Sequence, residues 1–158
     1  MTDGGPGLQA VVPVVLRFPL GVLAGAVATL AMDAAMARLP EGATPPTVAA
    51  GVLTESHPDA APARLASAVH YLAGGLTGPL FVWLLLAGEA LLGSGALATV
   101  LSAGLLLALM VGFFVLVVLP RAGLSRERRR TVARDWAVSA TVYCAVLVPL
   151  VAAGSTLL

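Results

Sequence analysis

The sequence predicts an all-α integral membrane protein, a single domain over residues 1–158 built as a four-helix transmembrane bundle with short loops. Of its residues, 59% are hydrophobic and 11% are charged, whereas a soluble domain usually has about 25% charged residues. Residues 90–120 carry no charge at all, and about 20 apolar residues suffice to cross a bilayer as a helix. Three further segments are similarly long and apolar, so we expect four crossings.

The first helix is expected over about residues 14–39. Pro19 lies near its start, where proline is tolerated best, and Pro40 ends it. Its uncharged stretch covers only residues 18–32, so Asp33 must lie within the membrane or at its edge. No clean small-residue cleavage site follows, and we therefore expect a retained helix rather than a signal peptide.

A proline-rich loop is expected over residues 40–59. Thr44 is suited to cap one or two helical turns inside this loop. Val48, Val52 and Leu53 would then fall on one side, which favours a position on the membrane interface.

Turn residues delimit the other three helices. Asp59 is a plausible N-cap for the second helix, and Pro79 should kink that helix. A Gly-Ser-Gly turn at residues 93–95 joins the second and third helices as a hairpin, and Pro120 ends the third. These helices are expected over residues 60–92, 96–119 and 131–156, with a basic loop over 120–130.

The arginines predict the orientation. Eight of the nine arginines lie in or next to the loops 40–59 and 120–130, and only Arg17 falls on the other side. Because positive residues favour the cytoplasmic side, both loops are expected to be cytoplasmic. The protein is then a multi-pass plasma membrane protein with both termini outside.

Three helices carry a titratable group close to this basic boundary: Asp33, His70 and Asp135. Each lies five or six residues from an arginine, which corresponds to roughly 7 to 9 Å along a helix. The three groups are therefore expected at similar depth.

Small and polar residues recur every four positions and place these groups on helix faces. Such stripes let two helix backbones approach closely. Matching the first two stripes in antiparallel order puts Asp33 beside His70 and Thr29 near Gly74. The three stripes consist of Gly21, Gly25, Thr29 and Asp33; of His70, Gly74 and Gly78; and of Asp135, Ser139 and Tyr143.

Two interpretations of this polar intramembrane cluster stay open. A buried carboxylate should find a partner, so the pair of Asp33 and His70 could simply fix the register of two helices. Histidine also titrates near neutral pH, which suits a proton or cation site.

No catalytic motif occurs, and no enzyme activity or cofactor is expected. The soft ligands Met32, Met36, His70 and Cys144 match no metal-binding spacing, so no metal is expected either. The loops are also too short for a nucleic-acid reading head.

The basic loop has a candidate partner in the bilayer itself. Anionic lipid headgroups attract arginines near the surface with about 1 kcal/mol each. The expected headgroup contacts are Arg121, Arg126, Arg128, Arg129 and Arg130.

Three short segments carry a resemblance: ATLAMD at 28–33, the prolines at 45–46, and HYLAGGLTG at 70–78. With them the first half of the chain resembles small prokaryotic membrane proteins of the YagU-like kind. The resemblance implies about four helices with a proline-rich loop after the first, and it implies no defined activity.

The leading interpretation is a non-enzymatic accessory, assembly or structural subunit that forms a homo-oligomer or joins a larger membrane complex. Gly104, Ala108 and Gly112 offer a flat packing face on the third helix for such contacts. The alternative is a subunit of a proton or small-cation transporter or channel that uses Asp33, His70 and Asp135.

Overall fold

The computed structural model of the protein describes residues 6–157, with side chains from residue 14 onward. Within that range the chain is helical without strands, and four of its helices are long and apolar enough to cross a membrane. The predicted all-α membrane fold is therefore confirmed. The helices are α1 (Pro6–Met36), α2 (Thr44–Thr54), α3 (Ala63–Leu92), α4 (Ala96–Phe113) and α5 (Arg126–Ser155), and short 3₁₀ turns lie at Pro58–Ala60 and Leu119–Arg121.

The four long helices form a ring in the order α1, α3, α4, α5, because α1 packs against α3 and α5 while α4 packs against the same two helices. The short helix α2 packs mainly on α3 and lies at one end of the ring, here named the α2 end. The hairpin at residues 93–95 closes the other end, and Gly93 adopts a positive φ of 81° there, a conformation that glycine accepts without strain.

Large apolar side chains point both into and out of this ring. Phe81, Leu106 and Leu147 are fully buried between the helices. Leu76 and Trp83 are more than half exposed, as expected where lipid rather than water surrounds the protein. Apolar side chains therefore cover the outer faces of these helices as well as fill the core.

The first helix begins earlier and ends earlier than predicted. Helix α1 already includes Pro6 and ends at Met36, three residues before Leu39. A tight turn follows, in which a Cβ on Gly42 would lie 2.0 Å from the carbonyl oxygen of Met36. Glycine permits this close return of the backbone, so the chain leaves the helix before Pro40 can end it.

The proline-rich loop contains a longer helix than predicted. Helix α2 has 11 residues and its N-cap position is Ala43, so Thr44 already lies inside it. Val48 is fully buried in a small core with Phe114, Leu119 and Val132. The predicted position on the membrane interface is therefore wrong for this side chain, because the loop folds back over the bundle.

The starts of α3 and α5 also differ from the predictions. Asp59 does not cap α3, which begins at Ala63 after Pro62. Helix α5 begins at Arg126 rather than Thr131, because the hydroxyl of Ser125 caps it by accepting a hydrogen bond from the backbone N–H of Arg128 at 3.3 Å. Five of the eleven residues of the predicted basic loop, 126–130, thus belong to the start of a helix.

The third membrane helix changes geometry before its proline. It widens into a π-helical turn over Phe114–Val118, and Pro120 lies in the 3₁₀ turn that follows. Proline has no backbone N–H for the next helical hydrogen bond, so a regular α-helix does not continue to residue 119.

Candidate functional site

Asp33 and His70 are in direct contact near the α2 end. Asp33 lies in the last turn of α1, His70 lies in the second turn of α3, and the atoms Oδ1 and Nε2 are 2.6 Å apart. The His70 side chain is 10% exposed and that of Asp33 is 31% exposed. The contact that the antiparallel stripes predict is therefore present, at a site that solvent or headgroups can still reach.

Tyr71 completes this pair and was missed in the sequence. Its hydroxyl donates to Oδ2 of Asp33 at 2.9 Å, and its ring packs edge-on against His70 with a centroid distance of 5.3 Å. Both carboxylate oxygens of Asp33 are thus hydrogen-bonded. The four-residue spacing excludes position 71 from the stripe, so the stripe does not predict this residue. A tyrosine next to a histidine in a membrane helix could nevertheless have indicated a third member of the polar cluster.

The glycine stripes bring α1 and α3 into backbone contact. A Cβ on Gly78 would lie 1.8 Å from the carbonyl oxygen of Gly21, and a Cβ on Gly25 would lie 2.8 Å from the carbonyl oxygen of Gly74. Real Cβ atoms do not approach so closely, so these positions require glycine. Thr29 faces Gly74 as the register predicts, while its hydroxyl donates to the carbonyl of Gly25 at 2.7 Å.

Asp135 forms a different site from the one predicted for it. Its fully buried carboxylate accepts a hydrogen bond from the backbone N–H of Glu41 at 2.9 Å, and two more from Arg134 at 2.9 and 3.0 Å. None of its hydrogen bonds goes to Asp33 or His70. Asp135 therefore holds the loop before α2 on the bundle instead of joining the polar cluster.

The other members of the α5 stripe have separate roles. Ser139 donates to the carbonyl of Asp135 on its own helix at 2.8 Å. Tyr143 is fully buried, and its hydroxyl donates to the carbonyl of Gly74 at 2.6 Å. Only Tyr143 of this stripe thus reaches the helix that carries His70.

Arg128 fastens the segment around α2 to the start of α5. Its guanidinium donates to Glu41 at 2.9 Å and to both carboxylate oxygens of Asp59 at 3.0 Å. These hydrogen bonds hold the pKa values of Glu41 and Asp59 below their usual range. Arg128 is thereby occupied, which leaves Arg121, Arg126, Arg129 and Arg130 of the predicted headgroup set.

Two cavities meet at His70. One is an apolar cleft of about 460 Å³ between α3 and α4, with prolines of α2 at its end. The other is a more polar crevice of about 370 Å³ between α1, α2 and α3, which contains Asp33 and Tyr71. His70 and Pro46 line both, so this histidine lies between an intramembrane space and the crevice at the α2 end.

The apolar cleft opens on the outer surface of the bundle. Its walls include Leu80, Leu109 and Phe113, which are 42%, 46% and 62% exposed. Trp136 lies deeper in the wall, where its indole N–H donates to the carbonyl of Met110 at 3.2 Å. Trp136 therefore packs against α4 inside the bundle.

Within the described part of the chain, no group of three or more His, Cys, Asp or Glu side chains is arranged to hold a metal ion. Comparisons with protein families, curated proteins and solved structures find no match to this chain. The resemblance to YagU-like proteins stays a prediction, and the functional argument rests on the geometry.

Proposed function

We propose that the protein is a non-enzymatic accessory or assembly subunit that associates through α4 with a second copy or a larger membrane partner. The observation that carries this proposal is an open stripe of small residues. A Cβ added to Gly104 or Gly112 would meet no described atom within 4 Å, and Ala108 between them is exposed. Small residues at this spacing let a partner helix approach closely in lipid.

The contrast with α1 and α3 supports this interpretation. Their glycines are already in contact with the backbone of a neighbouring helix, whereas the glycines of the α4 stripe have no neighbour among the described residues. Helix α4 is also the most apolar and least buried of the four membrane helices. A second copy or another protein would cover a surface that is otherwise left to lipid.

The state of the polar groups favours a non-enzymatic role. Asp33 has a partner for each carboxylate oxygen, Asp135 is buried between Arg134 and the backbone of Glu41, and the cleft next to His70 is apolar. Groups held in this way fix helix positions, and a hydrolytic reaction would need a polar, hydrated space.

The oligomeric state tests the proposal. The double variant Gly104→Leu with Gly112→Leu fills the stripe, and Gly75→Leu is a matched control because Gly75 has equally open surroundings on another helix. We expect the wild type and the control to run as an oligomer, or to co-purify a partner in mild detergent, and the double variant to run alone. A wild-type protein that is monomeric in a bilayer, without a partner, would contradict the proposal.

The orientation belongs to the same proposal. The α2 end carries eight arginines, while Arg17 pairs with Glu89 at 2.9 Å near the opposite end. We therefore place the α2 end in the cytoplasm, both termini outside, and the protein in the plasma membrane. The exposed arginines Arg121, Arg126, Arg129 and Arg130 are then positioned for anionic headgroups.

A second candidate is proton or small-cation transport, which the short hydrogen bond between Asp33 and His70 favours. The crevice gives this pair access from one end only, and the backbone contacts of α1 with α3 continue beyond it. A pathway would therefore need the oligomer. If transport is the function, Asp33→Asn and His70→Ala abolish ion flux in vesicles, whereas a loss of thermal stability with unchanged flux assigns the pair to structure.

A further inference from the structure

The cleft and the crevice adjoin at His70 and Pro46, which line both, and the two spaces differ in chemical character. Near the hairpin, α3 and α4 touch where the hydroxyl of Ser102 donates to the carbonyl of Leu84 at 3.1 Å. Toward the α2 end the helices separate, and the cleft between them reaches His70. Beyond His70 the lining becomes more polar, with Asp33, Tyr71 and the hydroxyls of Ser67 and Thr47 among alanines.

We propose that this site binds a lipid that has one hydrophobic chain and an uncharged head with hydrogen-bonding hydroxyl or carbonyl groups. The chain occupies the apolar cleft, and the head lies in the crevice beside His70. This inference is independent of the proposed association, because the stripe of Gly104 and Gly112 lies outside the cleft lining.

The dimensions and position of the cleft favour a lipid chain. Its volume of about 460 Å³ falls within the roughly 300–1,000 Å³ of ordinary ligand pockets. Its mouth lies between side chains of α3 and α4 on the lipid-facing surface. An apolar space of this kind excludes water, so a hydrocarbon chain entering sideways from the bilayer is the fitting occupant.

The charges around the crevice favour an uncharged head. Among the described residues that line it, Asp33 is the only acidic group and no arginine is present. A phosphate or carboxylate head would meet the carboxylate of Asp33 without a dedicated cation, and burial of such an unpaired charge is unfavourable. Hydroxyl and carbonyl groups can instead exchange hydrogen bonds with Ser67, Thr47 and Tyr71.

His70 has one nitrogen available for this head. Its Nε2 is held by Asp33, which fixes the orientation of the ring. Its Nδ1 makes no hydrogen bond within the described chain. It is also not fully buried, because the only buried side-chain polar atom without a partner in that part of the chain is Ser155 Oγ. The nitrogen Nδ1 is therefore reachable from the cavities, and Asp33 acts as a positioning residue for it.

The two tryptophans of the chain provide the test. Trp136 lines the cleft and Trp83 is 59% exposed on the outer surface, so Trp83→Phe and Trp136→Phe each leave one reporter. The protein is placed in vesicles of unbrominated phospholipid, and a long-chain alcohol brominated at mid-chain is added as the quencher. We expect the quenching of Trp136 to saturate as the mole fraction of the alcohol rises. Over the same range the quenching of Trp83, which reports bulk lipid, should increase only in proportion to the alcohol.

Head selectivity and blocking complete the test. The matching brominated fatty acid, ionised at alkaline pH, should bind about tenfold more weakly than the alcohol. In the Trp83→Phe protein, Ala73→Phe should obstruct the cleft and remove the saturable phase, while Leu72→Phe, next to it on the outer surface, should leave it unchanged.

Four results would overturn the inference. The first is quenching of Trp136 and Trp83 that is equal and does not saturate. The second is equal binding of the fatty acid and the alcohol. The third is saturable quenching of Trp136 that persists in a folded Ala73→Phe variant. A Trp136 that becomes quenchable only after a co-purifying protein is stripped away would also overturn it, because the cleft would then hold a partner helix.

Discussion

The hydroxyl of Tyr143 on α5 reaches across the bundle and donates to the carbonyl of Gly74 on α3 at 2.6 Å. These two helices are diagonal neighbours in the ring, so the hydrogen bond joins elements that otherwise make few contacts. Gly74 also faces Thr29 of α1. Three helices therefore meet at one backbone position, a single turn beyond His70.

Removal of this hydroxyl should destabilise the bundle. Tyr143→Phe keeps the buried ring and loses one hydrogen bond, which contributes about 0.5–1.5 kcal/mol in a protein interior. Tyr71→Phe is the matched control, because its hydrogen bond to Asp33 is exposed and its loss should cost less. Both are measured as the free energy of unfolding in mixed micelles, and a Tyr143→Phe protein as stable as the wild type would contradict the prediction.

The contact between α1 and α3 should tolerate no added methyl group at Gly78. A Cβ there would lie 1.8 Å from the carbonyl oxygen of Gly21, and relief of such a clash typically costs about 1–3 kcal/mol. Gly75→Ala is the control, because its Cβ meets no described atom within 4 Å and alanine stabilises a helix by roughly 0.5–1 kcal/mol relative to glycine. Thermal unfolding should shift in opposite directions for the two variants.

The pair of Asp33 and His70 was predictable because two constraints act together. A four-residue spacing fixes one face of a helix, and small residues every turn fix the register in which two antiparallel helices can touch. With Gly25 and Gly74 at the contact, Asp33 can reach only the turn that carries His70. Local spacing was therefore sufficient for this part of the site.

The environment of Asp135 was not predictable in the same way. Spacing correctly places Asp135 on the inner face of α5, but its partner is the backbone N–H of Glu41, which depends on how the segment around α2 folds back. That return requires the tight turn at Gly42. The spacing of residues along a helix does not predict such tertiary contacts. For the same reason, the sequence predicted that Arg128 contacts lipid headgroups, whereas it binds Asp59.

A double-mutant cycle should show that Asp33 and His70 are coupled. Asp33→Asn and His70→Gln each leave a partly buried partner without its charged hydrogen bond. We expect a coupling free energy of about 1 kcal/mol. This value lies between the average free energy of a hydrogen bond in a membrane protein and that of a hydrogen bond to a charged group in a soluble protein. Additive effects of the two substitutions on the free energy of unfolding would show that the contact does not persist in the membrane.

The arginine distribution predicts which side each segment faces. A periplasmic-type reporter such as alkaline phosphatase should be active when fused after Leu158, and a fluorescent protein fused there should be dark. When inserted between α4 and α5 at Gly123, the phosphatase should be inactive and the fluorescent protein should be bright. Active phosphatase at Gly123 and an inactive fusion at the C-terminus would invert the proposed orientation.

Acid should release the segment around α2 from α5. Because Arg128 lowers the pKa values of Glu41 and Asp59 from ordinary values near 4.5 and 3.8, their contribution to stability is present above those values and is lost as the pH falls through the lowered values in the folded protein. The wild type should therefore lose more stability than Arg128→Gln as the pH falls below about 4.5, while Arg129→Gln, the exposed neighbour, should follow the wild type. The measurement is the unfolding midpoint against pH in one detergent, and identical slopes for wild type and Arg128→Gln would show that these ion pairs do not hold α2 in place.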